Sequence, residues 1–290
     1  MTSGVARMPF FTETRKRRLE KAAFYILSTA LVAFWLIPLV LAFFTSLKSM
    51  DEIMGKGAMW AMPKEWRFDN YLKVWTSVGM GRYVYNTIVI TVPSVIGTLA
   101  LSSLAAFALA FYSFKMNKTV LIMFIAGMLI PFQMLMIPVF RFTDTVGLMN
   151  TRMGVILFHV AFQLGFCTFF LRNFFRQIPA SLIEAPRIDG ASDYRIYWQI
   201  ILPLARPSLA ALAVLEFTWI WNDLLWSLVL LQSDALKPVT LGLANMQGEF
   251  ISYYNMTAAG SIIAMILPLV FFLAFQRHFV QGMTVGAVKG

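Results

Sequence analysis

EAPRIDGASDYRIYWQIILPLARP, residues 184–207, gathers Glu184, Arg187, Asp189, Asp193, Arg195 and Arg206 into one short stretch of an otherwise apolar chain. Of the 290 residues, 59% are hydrophobic and 13% charged, and the mean hydropathy is +0.71. So few charges can hardly cover the surface of a soluble domain. What the stretch interrupts is a series of runs long enough to cross a bilayer, which takes about 20 predominantly apolar residues. Residues 22–47, 83–114, 119–140 and 250–276 contain no Asp, Glu, Lys or Arg. Residues 153–171 add only His159 as a possible charge, and residues 207–233 only Glu216 and Asp223. The reading is an all-α integral membrane protein in a single domain over 22–290, behind a basic tail of residues 1–21. Its six transmembrane helices fall at about 22–47, 83–114, 119–140, 153–171, 207–233 and 256–276.

The net charge of +10 could suggest nucleic acid, because basic surfaces attract phosphate. Its distribution argues instead for topology within membrane lipid. With the N-terminus inside, the cytoplasmic segments hold 15 Lys and Arg and the external ones nine. The shorter loops give the clearer positive-inside signal, led by Arg15, Lys16, Arg17 and Arg18. Both termini are thereby placed in the cytoplasm. The first run is 26 uncharged residues, longer than the about 7–15 of a cleaved signal, so it reads as a retained span. Cys167 is the only cysteine, lies inside the fourth run and reads as a buried bystander.

Around the opening stretch, Ile178, Leu182, Ile183 and Pro186 recur at helical spacing, while Glu184 and Arg187 lie on another face. After Gly190, the residues Ile196, Tyr197, Ile200, Ile201 and Leu204 form a second apolar stripe. Glycine is where a left-handed turn costs least. The pattern predicts helix, sharp turn, helix over about 178–203, with apolar faces toward the bundle and a charged corner toward the cytosol. On periodicity alone, an amphipathic loop lying in the interface and a docking surface stand level.

Elsewhere, Ser102, Ala106 and Ala110 recur every four residues, a spacing that lets helix backbones approach closely in lipid. Pro131 and Pro138 predict a bent third span. The segment from about 48 to 82, with Trp60, Trp66, Tyr71 and Trp75, reads as short helices along the outer surface.

The residue identities go further. Glu184-Ala185, Asp189-Gly190-Ala191 and Ile201-Leu202-Pro203 closely resemble the EAA motif of ATP-binding-cassette importer permeases. Nearly the whole chain shares the likeness. Asn70-Tyr71, Asn86, Ile130-Pro131-Phe132-Gln133, Phe169-Phe170-Leu171-Arg172 and Trp221-Asn222-Asp223 are similar to the maltose-type sugar-importer permeases. Ala259-Gly260-Ser261, Gln276-Arg277 and Gly286-Ala287-Val288-Lys289-Gly290 resemble the second permease of such heterodimers.

The resemblance implies a bacterial inner-membrane complex. Two permeases would form the path, two cytosolic subunits would use ATP and Mg, and an extracytoplasmic binding protein would deliver a sugar-like solute. It implies no cofactor in this chain and no catalysis by it. It assigns the ATPase contact to Glu184, Ala185, Pro186, Asp189, Gly190 and Ala191, with a C-terminal tail ending in Lys289 and Gly290 reaching between the ATPases. Pro186 departs from the family's second alanine. Proline inside a helix costs roughly 3 kcal/mol and is better tolerated in the first turn. Either the helix starts near Ile183 or it kinks at Pro186; Pro179 is the more natural start, which favours the kink.

Charges inside a span are costly and usually face a partner or a wet cavity. Glu216 and Asp223 lie seven residues apart, on roughly one helix face, among Trp219, Trp221, Asn222 and Trp226. Aromatic surfaces can cover the C–H faces of a sugar ring, and Asn or Asp can bond its hydroxyls. Asn222, Asp223, Trp219, Trp221 and Trp226 are therefore candidates for the translocation path. A structural pairing of Asp223 with a neighbouring helix or partner permease stands level with that reading. The external loop 232–254 either approaches the binding protein or simply connects.

No GxxxxGK[ST], GxSxG or HExxH pattern occurs, and His159 and His278 are isolated in sequence. Two rivals remain: a permease for polyol, glycerophosphate or another polar solute, and, from a different class, a membrane-embedded lipid-modifying enzyme.

Overall fold

The computed structural model describes residues 10–55, 60–246 and 253–284, with side chains described between residues 17 and 276. Lys289 and Gly290 lie outside the described residues. The described residues form helices α1 Phe10–Ser46, α2 Met50–Ile53, α3 Asp69–Thr76, α4 Met80–Phe111, α5 Asn117–Met128, α6 Met136–Thr145 and α7 Arg152–Phe175. There follow α8 Ser181–Ile188, α9 Asp193–Ile196, α10 Leu202–Leu204, α11 Arg206–Trp221, α12 Leu225–Leu230, α13 Val239–Asn245 and α14 Tyr254–Thr284. Among the described residues, Arg17–Ser46 of α1, all of α4 and α7, and Tyr254–Gln276 of α14 are long and apolar enough to cross a membrane.

Two bent pairs raise these four to six if each is one span: Asn117–Met128 with Phe132–Thr145, at 93°, and Asp193–Leu204 with Arg206–Trp221, at 72°. The first pair is more than a bent helix. Pro131 has no N–H and steers Ile130 away from helical torsions, so α5 stops at Met128 and a 3₁₀ turn, Phe132–Leu135, restarts the chain. The apolar run 207–233 is also not one helix, because α11 ends at Trp221 and α12 begins at Leu225.

The core lies around α4 and α7. Toward one end, Met80, Tyr83, Ile90, Val155, Phe217, Trp221 and Leu230 pack together. Toward the other, Phe107, Cys167, Leu171, Phe175, Ile183, Ile196, Ile201 and Leu212 do so. Ser102 and Ala106 are fully buried on α4, where small side chains let helices close up. No residue in the apolar window of α1 is buried; its exposed Phe24, Ile26, Leu27 and Trp35 belong in hydrocarbon rather than water.

Short polar side chains staple the connectors to this frame. Asn70 Nδ2 donates to the carbonyls of Ser46 (2.9 Å) and Lys48 (3.0 Å), and Asn255 Nδ2 reaches the Lys48 carbonyl at 3.2 Å. Asn86 Nδ2 donates to the carbonyls of Ala235 and Lys237, both at 2.9 Å, and its Oδ1 accepts from Arg152 at 2.8 Å.

Candidate functional site

The charged corner is a compact knob. Pro179 precedes α8, whose first turn closes with Glu184 N–H donating to the Ala180 carbonyl at 2.9 Å. The helix starts at Ser181, not near Ile183, and runs as one element through Pro186. In an exposed helix of eight residues, the proline forfeits one backbone bond. The end is closed by the Asp189 and Ala191 N–H groups, which donate to the carbonyls of Ala185 (3.1 Å) and Pro186 (2.9 Å). Gly190 turns the chain at φ +79°, a conformation glycine adopts without a Cβ penalty. Ser192 then caps α9 by accepting the Arg195 N–H at 3.3 Å.

Glu184, Ala185, Asp189 and Gly190 are exposed, and Pro186 and Ala191 are half-buried. Ile188 stands 85% exposed at the tip. Arg187 turns to Asp193 rather than to Glu184, donating through Nη2 (2.8 Å) and Nε (3.0 Å) to Oδ1. Its guanidinium also lies 5.3 Å from the centre of the Tyr112 ring. Hydrogen bonds from the Tyr112 hydroxyl and from Arg187 hold the Asp193 carboxyl below its usual range.

The knob is rooted in the core by Ile183 and Ile196, and by a 2.7 Å hydrogen bond between the Tyr197 and Ser103 hydroxyls. Leu182 and Leu204 leave the predicted apolar stripes, being 43% and 44% exposed. Between Tyr197 and Ile201 the helix widens to a π turn, just before Pro203, which has no N–H to donate.

A second feature is a cavity of about 480 Å³. The break in the third run supplies Met128 and Phe132, α7 supplies Phe158, His159, Phe162, Gln163 and Phe166, and the α11–α12 region supplies Trp219, Asp223 and Trp226. Phe158 stacks on Trp226 with centroids 3.7 Å apart and on Phe162 at 5.5 Å. Asp223 lies just ahead of α12 and accepts from its first turn: Oδ1 accepts the Trp226 N–H (3.2 Å), and Oδ2 accepts the Ser227 N–H (2.9 Å) and hydroxyl (2.8 Å). His159 Nε2 lies 3.7 Å from Asp223 Oδ2.

Three of the five residues singled out in the sequence, Trp219, Asp223 and Trp226, thus meet around one cavity. Trp221 does not: it is 2% exposed, stacks on Phe217 and donates Nε1–H to the Ala264 carbonyl at 3.2 Å. Asn222 is exposed and bonds the Thr218 carbonyl at 2.8 Å, outside the cavity lining. Glu216 does not share a face with Asp223, because the helix ends between them. It is fully buried and accepts a hydrogen bond from Cys167 Sγ at 3.2 Å, so Cys167 is a partner rather than a bystander. His159, isolated in sequence, is brought to Asp223. The legible signal for this wall was the spacing Phe158, Phe162, Phe166 with His159 and Gln163, both at i, i+4. Among the described residues, no group of three or more His, Cys, Asp or Glu could hold a metal.

Comparison with known proteins places this architecture. A family model described as binding-protein-dependent transport system inner membrane component matches residues 98–285, a range holding both knob and cavity. The chain is 35% identical over 276 residues, 93% of each chain, to the osmoprotective compounds uptake permease protein GgtD of Synechocystis sp.. It is 33% identical over 274 residues, 92% of this chain and 89% of the relative, to the diacetylchitobiose uptake system permease protein NgcG of Streptomyces coelicolor. A solved chain from a bacterial ABC transporter involved in import of the acidic polysaccharide alginate superposes with a TM-score of 0.77 at 26% identity, covering 94% of this chain and 99% of that one. The chain belongs to the family of binding-protein-dependent transport system inner membrane components, and is a transport subunit rather than an enzyme.

Proposed function

We propose that this chain is one of two permease subunits of an ATP-driven importer for a sugar or sugar derivative, with both termini cytoplasmic. Its spans are taken at about 22–47, 83–114, 119–140, 153–171, 207–233 and 256–276, the third and fifth being broken. Two partner subunits using ATP and Mg would seat the knob through Glu184, Ala185, Pro186, Asp189, Gly190 and Ala191, and the tail ending in Lys289 and Gly290 would reach between them. A binding protein would deliver the solute from outside. Support for coupling comes from the knob's construction: a short helix and turn rooted by Ile183 and Ile196 passes on a rigid-body motion that a loose loop would absorb.

The observation that carries the solute reading is the cavity, where the Phe158–Trp226 stack lies beside Asp223. Flat aromatic faces suit the C–H faces of a ring, and polar groups at one edge suit its hydroxyls. A relative named for diacetylchitobiose uptake favours a saccharide. One named for osmoprotective compounds favours a second reading, a polyol or other small polar solute.

The test is reconstitution with the second permease, the ATPase subunits and the cognate binding protein. Asp223→Ala and Trp226→Ala complexes should assemble and lose more than about tenfold in solute uptake, equivalent to about 1.4 kcal/mol. Wild-type rates in both would sink the path reading.

A further inference from the structure

The cavity has a chemical asymmetry that bears on what it can hold. One wall is aromatic. The polar lining groups are His159, Gln163 and Asp223. Among the described residues that line it there is no Lys or Arg. The Asp223 carboxylate accepts hydrogen bonds from the Trp226 N–H, the Ser227 N–H and the Ser227 hydroxyl, a set of donors that suits an acceptor-only group. His159 is 5% exposed, and its Nε2 has no hydrogen-bond partner. Gln163 sits one helical turn along the same face, 8% exposed.

We propose that His159 and Asp223 form a solute-reading pair that admits an uncharged, hydroxyl-rich ring and excludes anionic sugars such as uronates and sugar phosphates. The inference rests on the cavity being on the translocation path, and it names the solute class the path would take. A hydroxyl brought to the edge bonds the His159 Nε2, which stands 3.7 Å from Asp223 Oδ2 without a hydrogen bond, a valence that costs free energy while unmet. An anion brought to the same edge loses its water, meets the Asp223 carboxylate and finds no lining Lys or Arg. Like charges a few ångströms apart, screened as near a protein surface, repel by more than the equivalent of about tenfold in binding. Asp223 thereby sets charge selectivity, and His159 sets affinity for hydroxyls.

Met128→Cys places a thiol in the cavity wall, and the native Cys167 is fully buried. The experiment uses the complete reconstituted transporter without binding protein, so that delivery does not impose selectivity. Protection of the introduced thiol from a thiol reagent is titrated with trehalose, raffinose and sorbitol as neutral probes, and with trehalose 6-phosphate and glucuronate as anionic ones. The expected result is protection at least about tenfold stronger for a neutral probe than for an anionic one. Asp223→Asn, which removes the charge and keeps one side-chain acceptor for the N–H groups of α12, should narrow that ratio to about threefold or less. His159→Leu should weaken neutral protection about tenfold, and His159→Gln, which keeps a donor and an acceptor, by no more than about threefold. If no neutral probe protects, the cavity is off the path and both readings fall. If a neutral probe protects and the anions match it, or if Asp223→Asn leaves their exclusion intact, the selectivity falls and the path reading stands.

Discussion

Arg187 and Asp193 clasp the turn at Gly190 from its two sides, with Arg187 Nη2 2.8 Å and Nε 3.0 Å from the same carboxylate oxygen. Their side chains are 36% and 43% exposed. A pair so accessible contributes only about 0–1 kcal/mol to stability. Its consequence is geometric: it joins α8 to α9, so that the tip bearing Ile188 and Asp189 moves with the core rather than apart from it.

Asp193→Asn should therefore shift thermal unfolding little and reduce solute-dependent ATP hydrolysis by the assembled complex several-fold. The pH dependence has a definite sign. The folded carboxyl is held below its ordinary value of 3.8 by the Tyr112 hydroxyl and Arg187. Its contribution is thus complete above that ordinary value and is lost as pH falls through the lower folded one. Across about pH 5–8 the difference between wild type and Asp193→Asn stays constant. Unfolding curves in which it changed with pH inside that window would contradict the assignment.

At Gly190 the expected cost is conformational alone. The residue sits at φ +79°, and an added Cβ would meet nothing within 4 Å. Gly190→Val should destabilise by about 1–2 kcal/mol, and Gly190→Asn by less, since Asn tolerates left-handed torsions. Equal melting temperatures for the Val variant and wild type would show that the turn relaxes.

Gly242 presents the opposite case, because space rather than torsion is short. An added Cβ would run into Tyr83 Cδ2 and lie 2.7 Å from Cγ. The ring has little freedom to yield, since its hydroxyl donates to Asp234 at 3.0 and 3.1 Å. Gly242→Ala is expected to destabilise by about 1–3 kcal/mol. Combined with Tyr83→Ala it should cost less than the sum of the single changes, which denaturation of the four-member cycle will read directly.

Cys167 and Glu216 give a prediction inside the bundle. Cys167 Sγ donates to Glu216 Oε1 at 3.2 Å, while Oε2 has no hydrogen-bond partner. Cys167→Ser keeps a donor and should be nearly neutral. Cys167→Val leaves the buried group without that donor and should cost about 1–3 kcal/mol. Thermal stability of the two variants in the same detergent separates these outcomes.

Much of this molecule is visible in its order of residues. The apolar runs announce a membrane bundle because partition into hydrocarbon depends on the summed composition of about 20 neighbours, a quantity that needs no knowledge of packing. The helix, turn and helix around Gly190 are equally visible, since the glycine and the apolar residues that root the knob follow local rules. Pro131 signals a bend in the third run, but its size, 93°, is not local: Phe132 at the break turns its ring toward Phe162, at 6.3 Å.

The fifth run misleads for a related reason. Its average composition is apolar despite Glu216, Asn222 and Asp223, and an average over the run does not mark that α11 ends at Trp221 and a new helix begins at Leu225. Once that break exists, the seven-residue interval between Glu216 and Asp223 loses its meaning. Glu216 goes to Cys167, Trp221 turns to α14, and Asp223 turns to His159, 64 positions earlier in the chain. Hydropathy is a sum over neighbours in sequence, which one chain carries complete. Which of several tryptophans faces a cavity and which the core depends on where helices stop and on what packs across from them, and those contacts exist only after folding.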